Sequence, residues 1–196
     1  MTAEANVCAL VLAAGGSRRM GRRNKLLLEI GGTPMVARAV EVALASRASW
    51  VRVVTGAEAR EVRGALRGHQ VSIVHNPDYG QGLSTSLRAG LSQLPKTTEG
   101  VLVCLADMPW VRAAQLDLLV AAFVAGGKQD VCVPVHAGRR GNPILWPARC
   151  FEAMQAITGD RGARALLESP GERVVAVEVG DNGIHRDIDT PADVRQ

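Results

Sequence analysis

Glycine and basic residues follow directly after the first apolar run, in the stretch VLAAGGSRRMGRRNK from Val11 to Lys25. Glycines let the backbone come close to an anion and point its N–H groups towards it. Arginine and lysine supply the positive charge that neutralises a triphosphate. The stretch predicts a phosphate-binding loop with Arg19 and Lys25 as its cations. The alternative is a basic cluster for nucleic-acid binding or nuclear localisation.

The spacing of the glycines differs from that of two common phosphate-binding motifs. A dinucleotide fingerprint needs G-x-G-x-x-G, which Gly15, Gly16 and Gly21 do not supply. A P-loop needs Lys and then Ser or Thr after its second glycine, where this chain has Arg22 and Arg23. The loop is therefore of a third type.

Asp107 is a candidate metal ligand because it follows the apolar run VLVCLA and precedes Met108-Pro109. A carboxylate at the end of a buried strand suits Mg²⁺, which keeps several waters and bridges substrate phosphates. The alternative is an aspartate that caps a helix or stabilises a turn.

Strands and helices alternate along the chain, which predicts βαβ units and a mostly parallel sheet. No repeat, linker or low-complexity segment interrupts the pattern, so residues 1–196 are expected to form a single domain. The fold class is α/β, doubly wound and Rossmann-like, with helices on both faces. The predicted strands are Val7–Leu12, Val51–Thr55, Val71–Val74, Val101–Ala106 and Val131–Val135. The predicted helices are one that starts with Thr33 as N-cap and Pro34 as first residue, then Ala57–Leu66, Ser84–Leu94 and Ala113–Ala125.

The predicted topology decides between the two interpretations of the first loop. Ligands of doubly wound sheets bind beyond the carboxyl ends of the strands. Polar or glycine-rich segments follow the first, third and fourth strands: AAGGSRRMGRRNK, HNPDYGQGLSTS and DMPW. A loop in this position favours a phosphate ligand over nucleic acid.

Composition limits the other classes of function. Apolar residues make up 47% and charged residues 21%, as in ordinary globular proteins, and the formal charge of +4 suits an anionic ligand. With only 3% aromatics, a base-stacking surface for single-stranded nucleic acid is not expected. No apolar run is long enough to span a membrane, and no basic segment precedes the first one, so neither an anchor nor a signal peptide is expected.

The cysteines and histidines carry no pattern of a metal site. Cys8, Cys104 and Cys132 lie in apolar runs, and with Cys150 they include no C-x-x-C pair. They are interpreted as inert core residues, with zinc or a disulfide as the alternative, and they favour a reducing, cytoplasmic location. The four histidines lack ligand-like spacing and are expected in loops or on the surface.

Six motifs in sequence order resemble those of the molybdopterin nucleotidyltransferase family. The segment LAAGGSRRMGRRNKLLLEIGGTPM resembles the family's L-A-A-G-x-S-x-R-M-G-x-x-K signature. The other five are NPDYGQGLSTSLRAGL, ADMPWV, GRRGNPILW, ITGDRGARALL and DIDTPADV. Together they cover the chain from Val7 to Val194 and resemble a molybdenum cofactor cytidylyltransferase.

The resemblance implies a role for each motif. It makes Arg19, Lys25 and Asp107 the catalytic residues. The nucleotide would be bound by Leu12, Ala13, Ala14, Gly15, Gly16, Arg19, Lys25, Gln81, Gly82, Leu83 and Ser84. The acceptor would be bound by Gly141, Asn142, Pro143, Asp160, Gly162 and Arg164.

The same resemblance implies an Mg²⁺ site formed by Asp107 and Asp189, with Asp187 as a weaker candidate for the second ligand. Thr190-Pro191 reads as the N-cap and first position of a helix, which places Asp189 just before it. The alternative is that Asp160 or Asp189 is an acid that stabilises a helix start.

The implied reaction joins CTP to molybdopterin, the metal-binding pterin of molybdenum cofactor. The terminal phosphate of molybdopterin would attack the α-phosphorus of CTP and release pyrophosphate. Because that nucleophile is already anionic, no general base is required, and positioning and charge neutralisation dominate. A molybdoenzyme client is a further implied partner. Neither nucleic acid nor a membrane is expected as a partner.

Two positions bear on the substrates. Family members that use CTP tend to have the sequence L-A-A-G, and those that use GTP tend to have L-A-G-G. This chain has Ala13-Ala14-Gly15, which favours CTP, because the side chain at position 14 limits how closely a purine can approach the backbone. Where the family often reads R-G-H-P, this chain has Asn142, which forms hydrogen bonds but carries no charge.

Two alternatives to a cytidylyltransferase remain. One is a guanylyltransferase, or a nucleotidyltransferase for a sugar or polyol phosphate. The other is a non-catalytic nucleotide-binding module that delivers molybdenum cofactor. Paired metal ligands and Lys25 argue against the second, because binding alone does not require them.

Overall fold

A computed structural model describes residues 5–16, 24–160, 162–189 and 193 of the chain. The strands are β1 (Val7–Ala13), β2 (Glu29–Ile30), β3 (Thr33–Pro34), β4 (Trp50–Thr55), β5 (Ser72–His75), β6 (Gly100–Leu105), β7 (Val131–His136), β8 (Arg139–Arg140), β9 (Ile144–Pro147) and β10 (Val174–Glu178). The α-helices are α1 (Met35–Leu44), α2 (Ala59–Ala65), α3 (Leu83–Leu91), α4 (Ala113–Ala125) and α5 (Phe151–Ala156). Short 3₁₀ turns lie at Lys25–Leu27, Tyr79–Gln81, Ala148–Cys150, Ala163–Glu168 and Asn182–His185.

The central sheet has the strand order β10-β7-β9-β6-β1-β4-β5, with β8 added to β7. Strand β1 pairs in parallel with β4 and β6, and the pairs β4–β5 and β7–β10 are also parallel. Only β8 and β9 run antiparallel to their neighbours in this sheet as described. The mostly parallel α/β sheet predicted from the sequence is confirmed.

Helices cover both faces of the sheet, so its central strands are apolar on both sides. In β1 the residues Val7, Ala9, Val11 and Ala13 pack in one core with α1, α2 and α4. The intervening Cys8, Leu10 and Leu12 pack in the other core with α3 and α5. Successive side chains of a strand point to opposite faces, so a doubly covered strand is a continuous apolar run.

The predicted start of the first helix was wrong by one residue. Gly31 and Gly32 have φ of 62° and 83° and form a turn between β2 and β3, so Thr33 and Pro34 become the second strand of a hairpin. Helix α1 then starts at Met35, with Pro34 as the residue before it. The fixed φ of proline suits the end of a short strand as well as a helix start.

Three strands of the central sheet were missing from the sequence prediction: the two-residue β8 and the longer β9 and β10. Strand β9 is four residues long and ends in a proline, and β10 is an edge strand with mostly exposed side chains. Neither has the long apolar run that marked the central strands. Strand β9 inserts antiparallel between β6 and β7, which separates the parallel strands into two groups.

All four cysteines are free and buried, as the sequence suggested. Burial raises the pKa of Cys8, Cys104 and Cys132 to about 12 and that of Cys150 to about 11. A thiolate is the reactive form, so these thiols should be inert in the folded protein. No helix of the described residues is both long and apolar enough to cross a bilayer.

A thiol titration at pH 8 tests this. We expect no rapid reaction of the folded protein with Ellman's reagent and four reactive thiols after unfolding in guanidinium. One fast thiol in the folded protein would show that a cysteine is accessible.

Candidate active site

The carboxyl ends of β1, β4 and β6 meet at one edge of the sheet because these strands are parallel neighbours. A cleft of about 350 Å³ opens at this edge; we call it the glycine cleft. Its lining comes from the segment after β1, the loop before α3, and the turn after β6. The lining residues are Leu12, Ala14, Gly15, Gly16, Lys25, Leu26, Tyr79, Gly80, Gly82, Leu83, Ser86, Leu105, Asp107 and Asp160.

Lys25 joins the two predicted metal ligands. Its Nζ donates hydrogen bonds of 2.8 Å to Asp107 Oδ2 and of 2.8 Å to Asp189 Oδ1. Burial acts to lower the pKa of Lys25, but the carboxylates of Asp107 and Asp189 outweigh it and raise that pKa above its ordinary value. The lysine is therefore charged, and it neutralises two carboxylates from distant parts of the chain.

Local structure holds Lys25 in this position. The Asn24 Oδ1 accepts the N–H of Leu26 at 3.1 Å and caps the 3₁₀ turn that Lys25 begins. Leu26 is buried in the core below that turn. An Asn side chain suits a cap because its oxygen satisfies an N–H that the turn leaves free.

The two carboxylates are brought together by an extended segment that follows the last 3₁₀ turn. The N–H of Ile188 donates to the carbonyl of Asp107 at 2.9 Å. Ile188 is fully buried, so Asp187 and Asp189, its extended-chain neighbours, lie on the opposite side from the core. The Asp189 N–H also donates to Asp193 Oδ2 at 3.1 Å.

The residues present fit a divalent metal. Asp107 and Asp189 each place a carboxylate oxygen at one point, and Mg²⁺ is commonly held by one or two carboxylates together with waters and substrate phosphates. In the described ranges no group of three or more His, Cys, Asp or Glu residues is arranged to hold a metal. Asp187 lines a different cleft from Asp107. Of the two candidates for the second ligand, Asp189 is the one that meets Asp107 through Lys25.

The structure brings together part of the predicted nucleotide-binding set. Leu12, Ala14, Gly15, Gly16, Lys25, Gly82 and Leu83 line the glycine cleft, and Ala13, Gln81 and Ser84 do not. Ala13 packs in the core on the other face, and Ser84 is buried with its N–H donating to the Gly159 carbonyl at 3.2 Å. The Gln81 side chain donates to Asp78 Oδ1 at 3.0 Å. Arg19 and Thr190-Pro191 lie outside the described residues.

Tyr79, Gly80, Ser86 and Leu105 line the glycine cleft although sequence reasoning did not select them. The first three lie in the NPDYGQGLSTS segment, so the signal was present at the level of the motif. Leu105 is the last residue of the apolar strand β6, and nothing in its sequence context distinguished it from the other strand residues.

Asn76 anchors the NPDYGQG loop. It is 2% exposed, and its Nδ2 donates to Thr85 Oγ1 at 2.9 Å and to Ser86 Oγ at 3.0 Å. Its Oδ1 accepts the N–H of Asp78 at 3.0 Å. A buried amide with satisfied hydrogen bonds fixes the loop on the first turns of α3.

Gly82 allows the NPDYGQG loop to lie close to Gly159 and Asp160, which precede the 3₁₀ turn at Ala163–Glu168. Its φ is 112°, and a Cβ at this position would lie 2.6 Å from Gly159 C and 2.8 Å from Asp160 Oδ1. Asp160, predicted on the acceptor side, thus stands in the wall of the glycine cleft.

Two further clefts adjoin the first. The apolar cleft, about 220 Å³, shares Leu12, Leu83 and Leu105 with the glycine cleft. It is lined by these three and by Leu87, Val103, Asn142, Ile144, Trp146, Gly162, Ala163 and Arg164. The basic cleft, about 290 Å³, is lined by Leu105, Met108, Arg139, Arg140, Gly141, Asn142, Arg164, Ile184, His185 and Asp187.

The predicted acceptor residues are divided between these clefts. Asn142 and Arg164 line both the apolar and the basic cleft. Gly141 lines only the basic one and Gly162 only the apolar one. Pro143 lines neither; it lines a small separate pocket together with Met108 and Leu116, and the peptide bond before it is cis.

Comparison with known families and proteins supports a nucleotide-transferring site. The MobA-like NTP transferase domain matches residues 9–174. Purine catabolism protein PucB of Bacillus subtilis (strain 168) is 33% identical over 191 residues, covering 92% of this chain and 90% of PucB. Nicotine blue oxidoreductase of Paenarthrobacter nicotinovorans is 29% identical over 189 residues, covering 94% and 92%. Molybdenum cofactor cytidylyltransferase of Escherichia coli (strain K12) is 32% identical over 187 residues, covering 94% and 91%.

Solved structures show the same architecture. The Rv0371c homologue from Mycobacterium sp. strain JC1 superposes with a TM-score of 0.83 at 30% identity, covering 97% of this chain and 93% of that chain. Rv0371c of Mycobacterium tuberculosis H37Rv in complex with manganese gives a TM-score of 0.80 at 26% identity, covering 97% and 96%.

Proposed function

The chain belongs to the MobA-like NTP transferase family and is a nucleotidyltransferase, and we propose that it transfers CMP from CTP to the terminal phosphate of molybdopterin. One observation carries the catalytic part of this proposal. Lys25, Asp107 and Asp189 meet beside the glycine segment after β1, at the edge of the sheet where nucleotides bind. We further propose that residues 1–196 act as a single nucleotidyltransferase domain.

A divalent metal is typical of this family, and we propose Mg²⁺ with Asp107 and Asp189 as its protein ligands. When bound, the metal would supply charge neutralisation for the triphosphate and the pyrophosphate leaving group. Lys25 adds a positive charge next to the same phosphates. Arg19 is proposed to contribute a second one.

The chain's own residues otherwise act by positioning. The backbone of Gly15 and Gly16 can approach the nucleotide because neither residue has a side chain in the cleft. The acceptor phosphate is an anion and attacks the α-phosphorus directly, so no side chain needs to remove a proton. Holding the two substrates in line is the main contribution expected from the protein.

The packing around Ala14 supports CTP over GTP. Ala14 is 3% exposed, and its carbonyl accepts the N–H of Ala57 at 3.1 Å. Gly56 lies so close that a Cβ there would stand 2.8 Å from the Ala14 Cβ and 2.6 Å from the Tyr79 Cβ. The Ala14 side chain is thus held in place in the wall of the glycine cleft. It leaves less room for a purine base than a glycine at this position would leave.

Nucleotide choice is tested by pyrophosphate release with CTP or GTP, each with and without molybdopterin. We expect release only with CTP and molybdopterin together. Ala14→Gly should lower the ratio of the rate with CTP to the rate with GTP by about tenfold, which is the discrimination that a single methyl group in a pocket can provide. Release from GTP at the CTP rate would favour a guanylyltransferase, and release from neither would contradict the enzymatic proposal for this acceptor.

The apolar cleft favours molybdopterin over a sugar or polyol phosphate as acceptor. Trp146, Leu87 and Ile144 are buried in its wall, and sugars need polar partners for their hydroxyl groups. A flat ring system would gain from contact with this surface. A molybdoenzyme that receives the finished cofactor is the proposed client.

A further inference from the structure

The basic cleft carries an excess of positive charge. Its wall contains three arginines, Arg139, Arg140 and Arg164, and one half-buried histidine, His185. The acid in this wall is Asp187. Cations gathered in a concave site repel one another, and an anionic ligand removes that repulsion.

Arg139 and Arg140 differ in their partners from two other exposed arginines, Arg149 and Arg173. Arg149 pairs with Glu172, and Arg173 with Asp130. In the described part of the chain, the guanidinium groups of Arg139 and Arg140 form neither a hydrogen bond nor an ion pair. Their donors are therefore available to a ligand in the cleft.

The backbone beneath these arginines is held in place from three sides. Arg164 donates to the Arg140 carbonyl at 3.0 Å, and His185 Nε2 to the Arg139 carbonyl at 3.0 Å. The Asn142 N–H donates to the Ile184 carbonyl at 3.0 Å. The backbone that carries the Arg139 and Arg140 side chains is therefore held in a fixed position at the cleft.

Gly141 makes the close packing possible. A Cβ at this residue would lie 2.8 Å from the Ile184 Cβ, which is closer than real side chains pack. The 3₁₀ turn at Asn182–His185 thus seats directly against the residue that follows β8.

The basic cleft lies next to the proposed reaction centre. It shares Leu105 with the glycine cleft, and Asp187 in its wall is two residues from Asp189. Two residues of an extended segment span about 7 Å, which is close to the distance across a phosphate group and the atoms bonded to it. An anion in the basic cleft would therefore be near the metal and Lys25.

We propose that the basic cleft binds the phosphate end of the acceptor, with Arg139 and Arg140 as its guanidinium donors. This rests on the proposed function, and it defines the acceptor as a phosphomonoester rather than a neutral alcohol. Arginine suits this role because its planar fork matches phosphate oxygens. The nucleotide occupies the glycine cleft and does not contact these two side chains.

The first test measures binding without turnover. The Nε–H signals of the arginines are recorded by NMR in the whole protein while inorganic phosphate, molybdopterin or CTP with Mg²⁺ is added. We expect phosphate and molybdopterin to shift the signals of Arg139 and Arg140, and CTP with Mg²⁺ to leave them in place. A shift caused by CTP, or no shift with millimolar phosphate, would overturn the assignment.

The second test is kinetic and uses Arg139→Gln/Arg140→Gln. We expect KM for molybdopterin to rise at least tenfold, KM for CTP to change less than twofold, and kcat to change less than threefold. Arg63→Gln/Arg67→Gln is the matched control, because it removes the same charge from exposed residues at α2 and should change none of these values. An unchanged KM for molybdopterin in the first variant would refute the proposal.

The two tests separate this inference from the function it rests on. If molybdopterin is not turned over but phosphate still shifts Arg139 and Arg140, the phosphate site stands and the acceptor is another phosphomonoester. If molybdopterin is turned over with an unchanged KM in the variant, the function stands and the site is wrong.

Discussion

Replacing Asp107 with alanine is expected to abolish nucleotidyl transfer and leave the protein folded. Its carboxylate lies in the turn after β6, 2.8 Å from Lys25 Nζ, and its side chain is 24% exposed. The variant removes a proposed metal ligand, so turnover should fall by at least about 10³-fold, on the order of 4 kcal/mol in the barrier. Rates of pyrophosphate release at saturating CTP and molybdopterin measure this.

Two further variants decide whether the loss is specific. Asp189→Ala should have an effect of similar size, because Asp189 meets the same Lys25 nitrogen. Asp117→Ala is the matched control: Asp117 accepts the N–H of Arg47, which lies before β4 at the opposite edge of the sheet. Circular dichroism and melting curves check that each variant folds. Normal turnover of Asp107→Ala in Mg²⁺ would exclude Asp107 as a metal ligand.

Replacing Lys25 with methionine should slow turnover and strengthen metal binding in the same protein. Turnover should fall by about 10²–10³-fold, the scale of losing one charge contact in the transition state. Without nucleotide, Mn²⁺ should bind about tenfold more tightly, because the ammonium group no longer competes for Asp107 and Asp189. A charge pair at 4 Å is worth about 1 kcal/mol in water, and the metal carries two charges.

Mn²⁺ affinity can be measured by electron paramagnetic resonance or calorimetry, independently of activity. Lys128→Met is the matched control, because Lys128 pairs with Glu99 at 2.8 Å at the amino end of β6, away from the cleft. It should change neither turnover nor Mn²⁺ affinity. Unchanged Mn²⁺ affinity in Lys25→Met would mean that Lys25 and the metal do not share the two carboxylates.

The fold was predictable where strands are central and apolar on both faces. Val7–Ala13 is buried along its whole length, so its sequence is a continuous apolar run. Strand β9 is also buried on both faces, but its four residues are too few to form a long apolar run, and β10 is an edge strand with mostly exposed side chains, so both were missed. The error at Thr33–Pro34 has a local cause, since the Gly31-Gly32 turn makes a hairpin from residues that also suit a helix start.

The candidate site was predictable in its residue types but not in all its positions. Gly15, Gly16, Lys25 and Asp107 follow strands, and topology alone brings strand ends together. Ala13 and Ser84 belong to the same motifs as cleft residues, yet Ala13 packs in a core and Ser84 is buried outside the cleft lining. Side-chain direction depends on the exact strand and helix bounds, which a motif does not contain.

The sequence by itself determined the α/β class, the strand ends where ligand-binding residues gather, and the family resemblance, because these depend on local composition and order. Only the tertiary structure decided that Lys25 bridges Asp107 and Asp189, which are 82 and 164 residues away along the chain. It also decided that Asp187 faces the basic cleft while Asp160 faces the glycine cleft. Such contacts arise from the packing of distant segments, so no local pattern encodes them.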